Sequence, residues 1–280
     1  MMARSELVFG IDAKREGIQT LVVLDKSFLQ SVGLAQLQFY VQNGWLFAVP
    51  DIFFYEHLRK WDEWRLANLR KLKTIESRVV LLPGIGEMFR AESRFLKPAT
   101  QVIRMERKRL VLNERFSSRG SFFELDNETK RISDGRTKEF EEKLDATVEL
   151  WRDFRRLPAL KEAKDSEIPE RVRELAIQVR DDIDDIRGFY RNHRLDTYPP
   201  AEIIDVEWAF FRWHQVQLLG GLDFYDSYGI ATPFKRGKIF NELLDLDYLL
   251  PALLIGGLAS NDKRMVRRFK FLRLDGVLLK

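Results

Sequence analysis

Leu21-Val22-Val23-Leu24 is apolar at every position and stops at Asp25. A short β-branched run without polar alternation predicts a strand buried on both faces, as in a parallel sheet. Trp45–Val49 and Val79–Leu82 repeat the pattern, the latter ended by Pro83-Gly84. Between the first two runs, from about Ser27 to Gln42, Phe28, Val32, Leu37 and Val41 mark a helix, and Asn43-Gly44 closes it as a C-cap. Pro50 opens the next helix, from Asp51 to about Lys71, which carries Ile52, Tyr55, Leu58 and Trp61. The order β-α-β-α-β predicts a parallel sheet covered by helices.

From about Gly86 to Leu219 the spacing is mainly helical. Phe140, Leu144, Val148, Trp151 and Phe154 define one amphipathic stripe; Val172, Leu175, Val179, Ile183, Ile186 and Tyr190 define another. Leu157-Pro158 and Ile168-Pro169 interrupt the chain between them, which predicts an antiparallel helical hairpin. A third helix starts near Pro200 and is expected to end at Gly220-Gly221, while Ser117 to Arg136 reads as a loop. The C-terminal stretch returns to the first pattern. Phe240 to Ile255 is helical at least in part, Gly256–Ser260 is a short strand, Lys263 to Arg273 is basic, and Gly276–Leu279 is a last apolar run. The expected division is an α/β core in residues 1–84, a helical insertion in 85–237, and the rest of the core in 238–280.

Composition narrows the chemistry. The 280 residues contain no cysteine, which excludes disulfide scaffolds, thiolate zinc sites and cysteine nucleophiles. The three histidines, His57, His193 and His214, are too few for a histidine-rich metal site. Basic residues number 47 against 43 acidic ones, a net charge of +4 that permits an anionic partner without demanding one. No apolar stretch reaches the ~18 residues that span a bilayer, and Leu7–Ile11 is too short for a signal-peptide core. The expectation is a cytoplasmic protein without a membrane partner.

Ligands of open α/β sheets bind beyond the carboxyl ends of the strands. Asp25 directly follows the first strand, Glu56 lies in the second turn of the helix after the second, and Asp262 follows the strand at 256–260. Asp247, ahead of that strand, could reach the same rim. Such carboxylates repel one another unless a hard divalent cation with oxygen ligands, Mg²⁺ or Mn²⁺, holds them. A cluster of this kind suits phosphoryl chemistry. Taken singly, each acid is more commonly a cap, a turn residue or a solvated first-turn charge; their order and placement give the joint reading its weight.

Leu24-Asp25, Val49-Pro50 with Glu56 beyond, Asp247, and the ending Ala259-Ser260-Asn261-Asp262-Lys263 together resemble the PIN-like nuclease domain. The resemblance covers residues 20–84 and 240–275. It implies a three-layer α/β/α fold with a central, mainly parallel sheet, here with a long helical insertion. It also implies three or four acids around Mg²⁺ or Mn²⁺, and hydrolysis of phosphodiester bonds to 5′-phosphate and 3′-hydroxyl ends, in RNA ahead of DNA. Asp25, Glu56, Asp247 and Asp262 are the expected metal ligands and catalytic residues. Asp245 competes with Asp247 for the third place, and the sequence favours Asp247 because Tyr248-Leu249-Leu250 follow it. Asp205 and Glu207 are further candidates on the third helix.

Two other classes stand beside the nuclease: a catalytically silent PIN-like module that binds nucleic acid or protein, and a structural protein that meets a partner or a second copy through its helical insertion. Two basic segments bear on the choice. Lys263–Lys280 has seven basic residues against one acid, and 101–120 has six against two. Arg264, Arg267 and Arg268, next to Asp262, are the expected phosphate contacts. Asp181-Asp182-Ile183-Asp184-Asp185 lacks the glycine turn and ligand spacing of a calcium loop and reads as a solvated face.

Overall fold

The computed structural model describes residues 20–59, 63–105, 108–110, 127–154, 157–164, 166–228 and 236–280. The first unit consists of β1 (Leu21–Leu24), α1 (Lys26–Ser31), α2 (Leu34–Gln42), β2 (Leu46–Val49), α3 (Asp51–Arg59), α4 (Glu63–Thr74) and β3 (Val79–Leu81). The middle holds α5 (Ile85–Phe95), α6 (Ala99–Met105), β4 (Lys108–Arg109), α7 (Asn127–Asp153), α8 (Pro158–Lys161), α9 (Ile168–Asp181), α10 (Ile183–His193) and α11 (Ala209–Tyr228). The chain then returns through α12 (Arg236–Ile255), β5 (Gly257–Ala259), α13 (Lys263–Leu272) and β6 (Val277–Leu279).

The sheet order is β4-β3-β2-β1-β5-β6. Five neighbouring strands, β3 to β6 through β1, are parallel, and only the edge strand β4 runs the other way. The apolar runs are therefore strands for the reason their composition suggests. Val22, Val23 and Leu24 are fully buried, as are Phe47, Ala48 and Val49, and burial of each large side chain is worth about 1.5–3 kcal/mol. This is an α/β sheet with covering helices, as expected. Among the described residues no helix is long and apolar enough to cross a membrane.

Local breaks depart from the expected elements. The helix over 27–42 is two, parted at Val32-Gly33, and the stripe from Val172 to Tyr190 is broken at Asp182. The Asp182 carboxylate accepts from the backbone N–H of Asp184 and Asp185, at 2.9 and 3.1 Å, so that part of the acidic run is a helix cap. Residues 127–136 of the expected loop belong to α7, while 117–126 lie outside the described residues. Pro200 to Trp208 is turn rather than helix, and Gly220-Gly221 sits inside α11 instead of ending it. The reason is packing. A Cβ on Gly221 would stand 2.4 Å from the Phe154 ring, and one on Gly220 3.0 Å from Trp151, so these glycines admit α7 against α11. Pro251 likewise lies within α12 without ending it. One main core runs from the sheet into the insertion, since Trp151, Phe154, Val216 and Phe224 share a cluster with Val23 and Phe47.

Candidate active site at the carboxyl rim of the sheet

Strand order reverses at β1: the chain leaves it toward β2 on one side and comes back to β5 on the other. That is the topological switch point of an open sheet, where a crevice forms because consecutive connections leave in opposite directions. Asp25 follows β1 here and Ser260 follows β5. The ladder continues one step past the strands, with Asp25 N–H donating to the Ala259 carbonyl at 3.0 Å. Two glycines let the return path come this close. Gly256 ends α12 with a φ of 83°, and a Cβ on Gly257 would stand 2.5 Å from the Leu21 carbonyl oxygen.

Asp25 precedes α1 but does not cap it with its side chain. Its Oδ2 accepts from the Ser27 hydroxyl and, at 2.7 Å, from the Ser260 hydroxyl. Ser27 Oγ in turn accepts the backbone N–H of Asn261 at 3.0 Å and of Asp262 at 3.2 Å. The 4% exposed carboxylate is thus fixed in orientation by both strand ends, and among the described residues its Oδ1 has no hydrogen-bond partner. Asp262 does cap its helix: Oδ1 accepts from Arg264 and Met265 N–H, both at 2.8 Å, and among the described residues Oδ2 is unengaged. The turn-residue reading and the site reading of Asp262 therefore coexist in one carboxylate.

Glu56 reaches the rim from α3 and is 8% exposed. Its Oε2 accepts from the Tyr248 hydroxyl at 2.8 Å, and its Oε1 pairs with Lys26. Tyr248 reveals which acids gather here. Its phenol is pushed well above the ordinary range by burial first, then by the charges of Glu56, Asp25 and Asp245. Asp245 is pushed up to about 7, because burial outweighs the Arg264 and Arg268 guanidiniums and Asp262 adds repulsion.

The two competing acids separate cleanly. Positions two apart on a helix point about 200° from one another, and Asp245 pairs with Arg264 at 2.8 Å, on the side of α13 and the rim. Asp247 pairs instead with Lys143 of α7, whose ammonium lies 4.2 Å from the Trp213 ring centre. Asp25, Glu56 and Asp245 thus bear on one tyrosine, Asp262 bears on Asp245, and Asp247 faces the insertion. Asp205 and Glu207 lie elsewhere, in the turn before α11, where Asp205 accepts the Glu207 N–H at 2.9 Å. All three histidines place Nδ1 against the carbonyl four residues earlier, at 2.7 to 2.8 Å, and none belongs to this cluster.

The donors fit a hard divalent cation in kind, being carboxylate and hydroxyl oxygens with Asp25 Oδ1 and Asp262 Oδ2 to spare. As placed, no three His, Cys, Asp or Glu side chains among the described residues are grouped closely enough to hold an ion together. Lys26 and Arg264 each already neutralise one of the acids. Sequence reasoning assigned the acids no basic partner and overlooked Tyr248. The neighbour of Asp25 and the tyrosine three residues beyond Asp245 were the available signals.

Two arginines of the basic segment are also spent inward. Arg268, 2% exposed, bonds Asp223 at 2.5 Å and Glu242 at 2.8 Å, and Arg264 bonds Glu242 and Asp245. Arg267 alone of the three is largely exposed, at 62%, with Asp223 3.7 Å away. Most of 101–120, the other basic segment, lies outside the described residues. No family model, no curated protein and no solved structure matches this chain.

Proposed function

We propose that this protein is a divalent-metal-dependent phosphodiesterase of the PIN-like type, acting on nucleic acid and on RNA ahead of DNA. Asp25, Glu56, Asp245 and Asp262 would hold the metal, with Asp245 taking the place the sequence gave to Asp247. The observation that carries the reading is the meeting of Asp25, Ser260 and Asp262 at the switch point, with one oxygen of each aspartate unengaged. A bound Mg²⁺ or Mn²⁺ supplies an acidified water and neutralises charge growing on the phosphate. The chain's own part is orientation. Ser27 and Ser260 fix the Asp25 carboxylate, the Tyr248 hydroxyl fixes Glu56, and Lys26 and Arg264 limit repulsion among the acids.

The test is cleavage of end-labelled single-stranded RNA and DNA with Mg²⁺, Mn²⁺ or chelator. Asp25→Asn is expected to abolish cleavage without lowering the melting temperature. Asp245→Asn is expected to cost at least ~10²-fold, in line with the loss of other positioning groups, and Asp247→Asn far less. An Asp25→Asn protein as active as the native one overturns the assignment. The Lys26–Glu56 pair favours a second reading, a silent module whose lysine stands where a cation would act. Absence of metal-dependent turnover in both the native protein and Lys26→Ala would select it.

A further inference from the structure

Arg264 and Arg268 of α13 are paired within the fold and Arg267 alone is largely exposed there, so a nucleic-acid strand would need further basic groups elsewhere. A cleft of about 460 Å³ lies between α5 and the turn at Thr197-Tyr198. Arg90 and Arg94 line it from consecutive turns of α5, about 6 Å apart along the axis. Among the described residues neither guanidinium meets a carboxylate, and Arg94 touches only the Phe95 ring, at 5.2 Å. The Ser93, Thr197 and Tyr198 hydroxyls, also in the lining, make no hydrogen bond among the described residues. The nearby acids are turned to other tasks: Glu87 accepts the Gly84 N–H at 2.9 Å, and Glu92 points into the core. Asp196 does not line the cleft.

Its apolar side is aromatic. Phe210 stacks on Phe89 at 4.3 Å and meets Tyr198 at 4.6 Å, so the partly exposed Tyr198 ring is held from beneath. Unpaired guanidiniums beside a supported aromatic face are what a single strand requires: cations along the backbone and a platform for a base. We propose that this cleft binds single-stranded nucleic acid, with neighbouring phosphates on Arg90 and Arg94 and one base on Tyr198. Gly86, at the start of α5, also lines the cleft. Because α5 follows β3, that end opens toward the carboxyl rim, two strands from Asp25. A strand seated here could run to the carboxylates, and that continuation rests on the nuclease reading. Binding itself needs no metal.

The test measures fluorescence anisotropy of short labelled RNA and DNA single strands with the full chain in chelator, across a salt titration. For Arg90→Gln/Arg94→Gln, affinity at low salt should fall at least ~10-fold. The slope of log affinity against log salt should drop by about 1.4, or ~0.7 per lost phosphate contact. Tyr198→Leu should weaken binding about 5- to 150-fold, with the slope kept. Lys161→Gln/Arg173→Gln, an equal loss of charge on exposed positions elsewhere, should bind as the native protein does. Native-like affinity and slope in the α5 double variant overturn the proposal, as does failure of the native protein to bind either strand. The two readings fail separately. Groove-dependent binding without metal-dependent cleavage keeps the groove and removes the nuclease. Cleavage by a native protein whose α5 variant binds unchanged does the reverse.

Discussion

α13 carries two arginines four residues apart, Arg264 and Arg268, and α5 carries Arg90 and Arg94 at the same spacing. By sequence they are equivalent, and the α13 pair looks the better phosphate site because it sits in a basic run beside Asp262. In the fold their roles exchange. Asp223 from α11 and Glu242 and Asp245 from α12 converge on α13, whereas among the described residues no carboxylate pairs with Arg90 or Arg94 of α5. Charge counted along a chain is blind to acids delivered from distant helices. A basic run is free only when nothing packed against it answers it.

That contrast can be broken by substitution. The largest effect is expected from Arg268→Ala. It removes the buried cation shared by Glu242 and Asp223, leaving Glu242 to Arg264 and Asp223 to the more distant Arg267, and should cost about 3 kcal/mol, read as a loss of denaturation midpoint. A native-like midpoint would mean that the α13 network is ornamental and would return its arginines to the list of phosphate contacts.

Next comes Glu92, on the opposite face of α5 from Arg90 and Arg94. Its carboxylate accepts the N–H of Ala99 at 2.8 Å, Ala209 at 2.6 Å and Phe210 at 3.0 Å, joining the starts of α6 and α11. Glu92→Gln turns an amide donor toward those donors and should cost about 1–3 kcal/mol. Burial, only partly offset by the three N–H bonds, lifts Glu92 from 4.5 to about 7. Between those values the folded protein retains a proton that the unfolded chain has released. The stabilising contribution is therefore full below about pH 4.5 and is lost as pH rises through about 7. Melting curves across that window should flatten in Glu92→Gln.

The smallest effects sharpen the comparison most. Arg267→Ala, at the exposed edge of α13, should change stability by no more than about 0.5 kcal/mol. Arg90→Gln/Arg94→Gln should likewise stay within about 0.5 kcal/mol. Calorimetry on the arginine variants alone should thus rank α13 by burial and leave the α5 pair flat, while nucleic-acid affinity should fall in the α5 pair.

Much of the parallel sheet was legible because fully buried strands advertise themselves as unbroken apolar runs. The carboxyl-rim positions of Asp25, Glu56 and Asp262 followed from the same alternation of elements. The different partners of Asp245 and Asp247 were not legible, because they depend on the rotation of α12 against α7 and α13, and the sequence alone does not set that rotation. Gly220-Gly221 misled for a related reason. As punctuation they end a helix; as packing they bring Trp151 and Phe154 against one. The supporting hydroxyls of Ser27 and Ser260 were invisible as a pair, since 233 residues separate them.

The pairing of β1 with β5 also orders events in time. β1 is the middle of the sheet, yet one of its two neighbours is made of residues 257–259. During synthesis this wholly apolar strand has one bare edge until the helical stretch between has been produced and β5 has found its place. Closing so long a loop is slow, and an unprotected central edge invites pairing with another chain. α12, which precedes β5 in the chain, packs on β1 in the folded protein, but only β5 pairs with the edge itself.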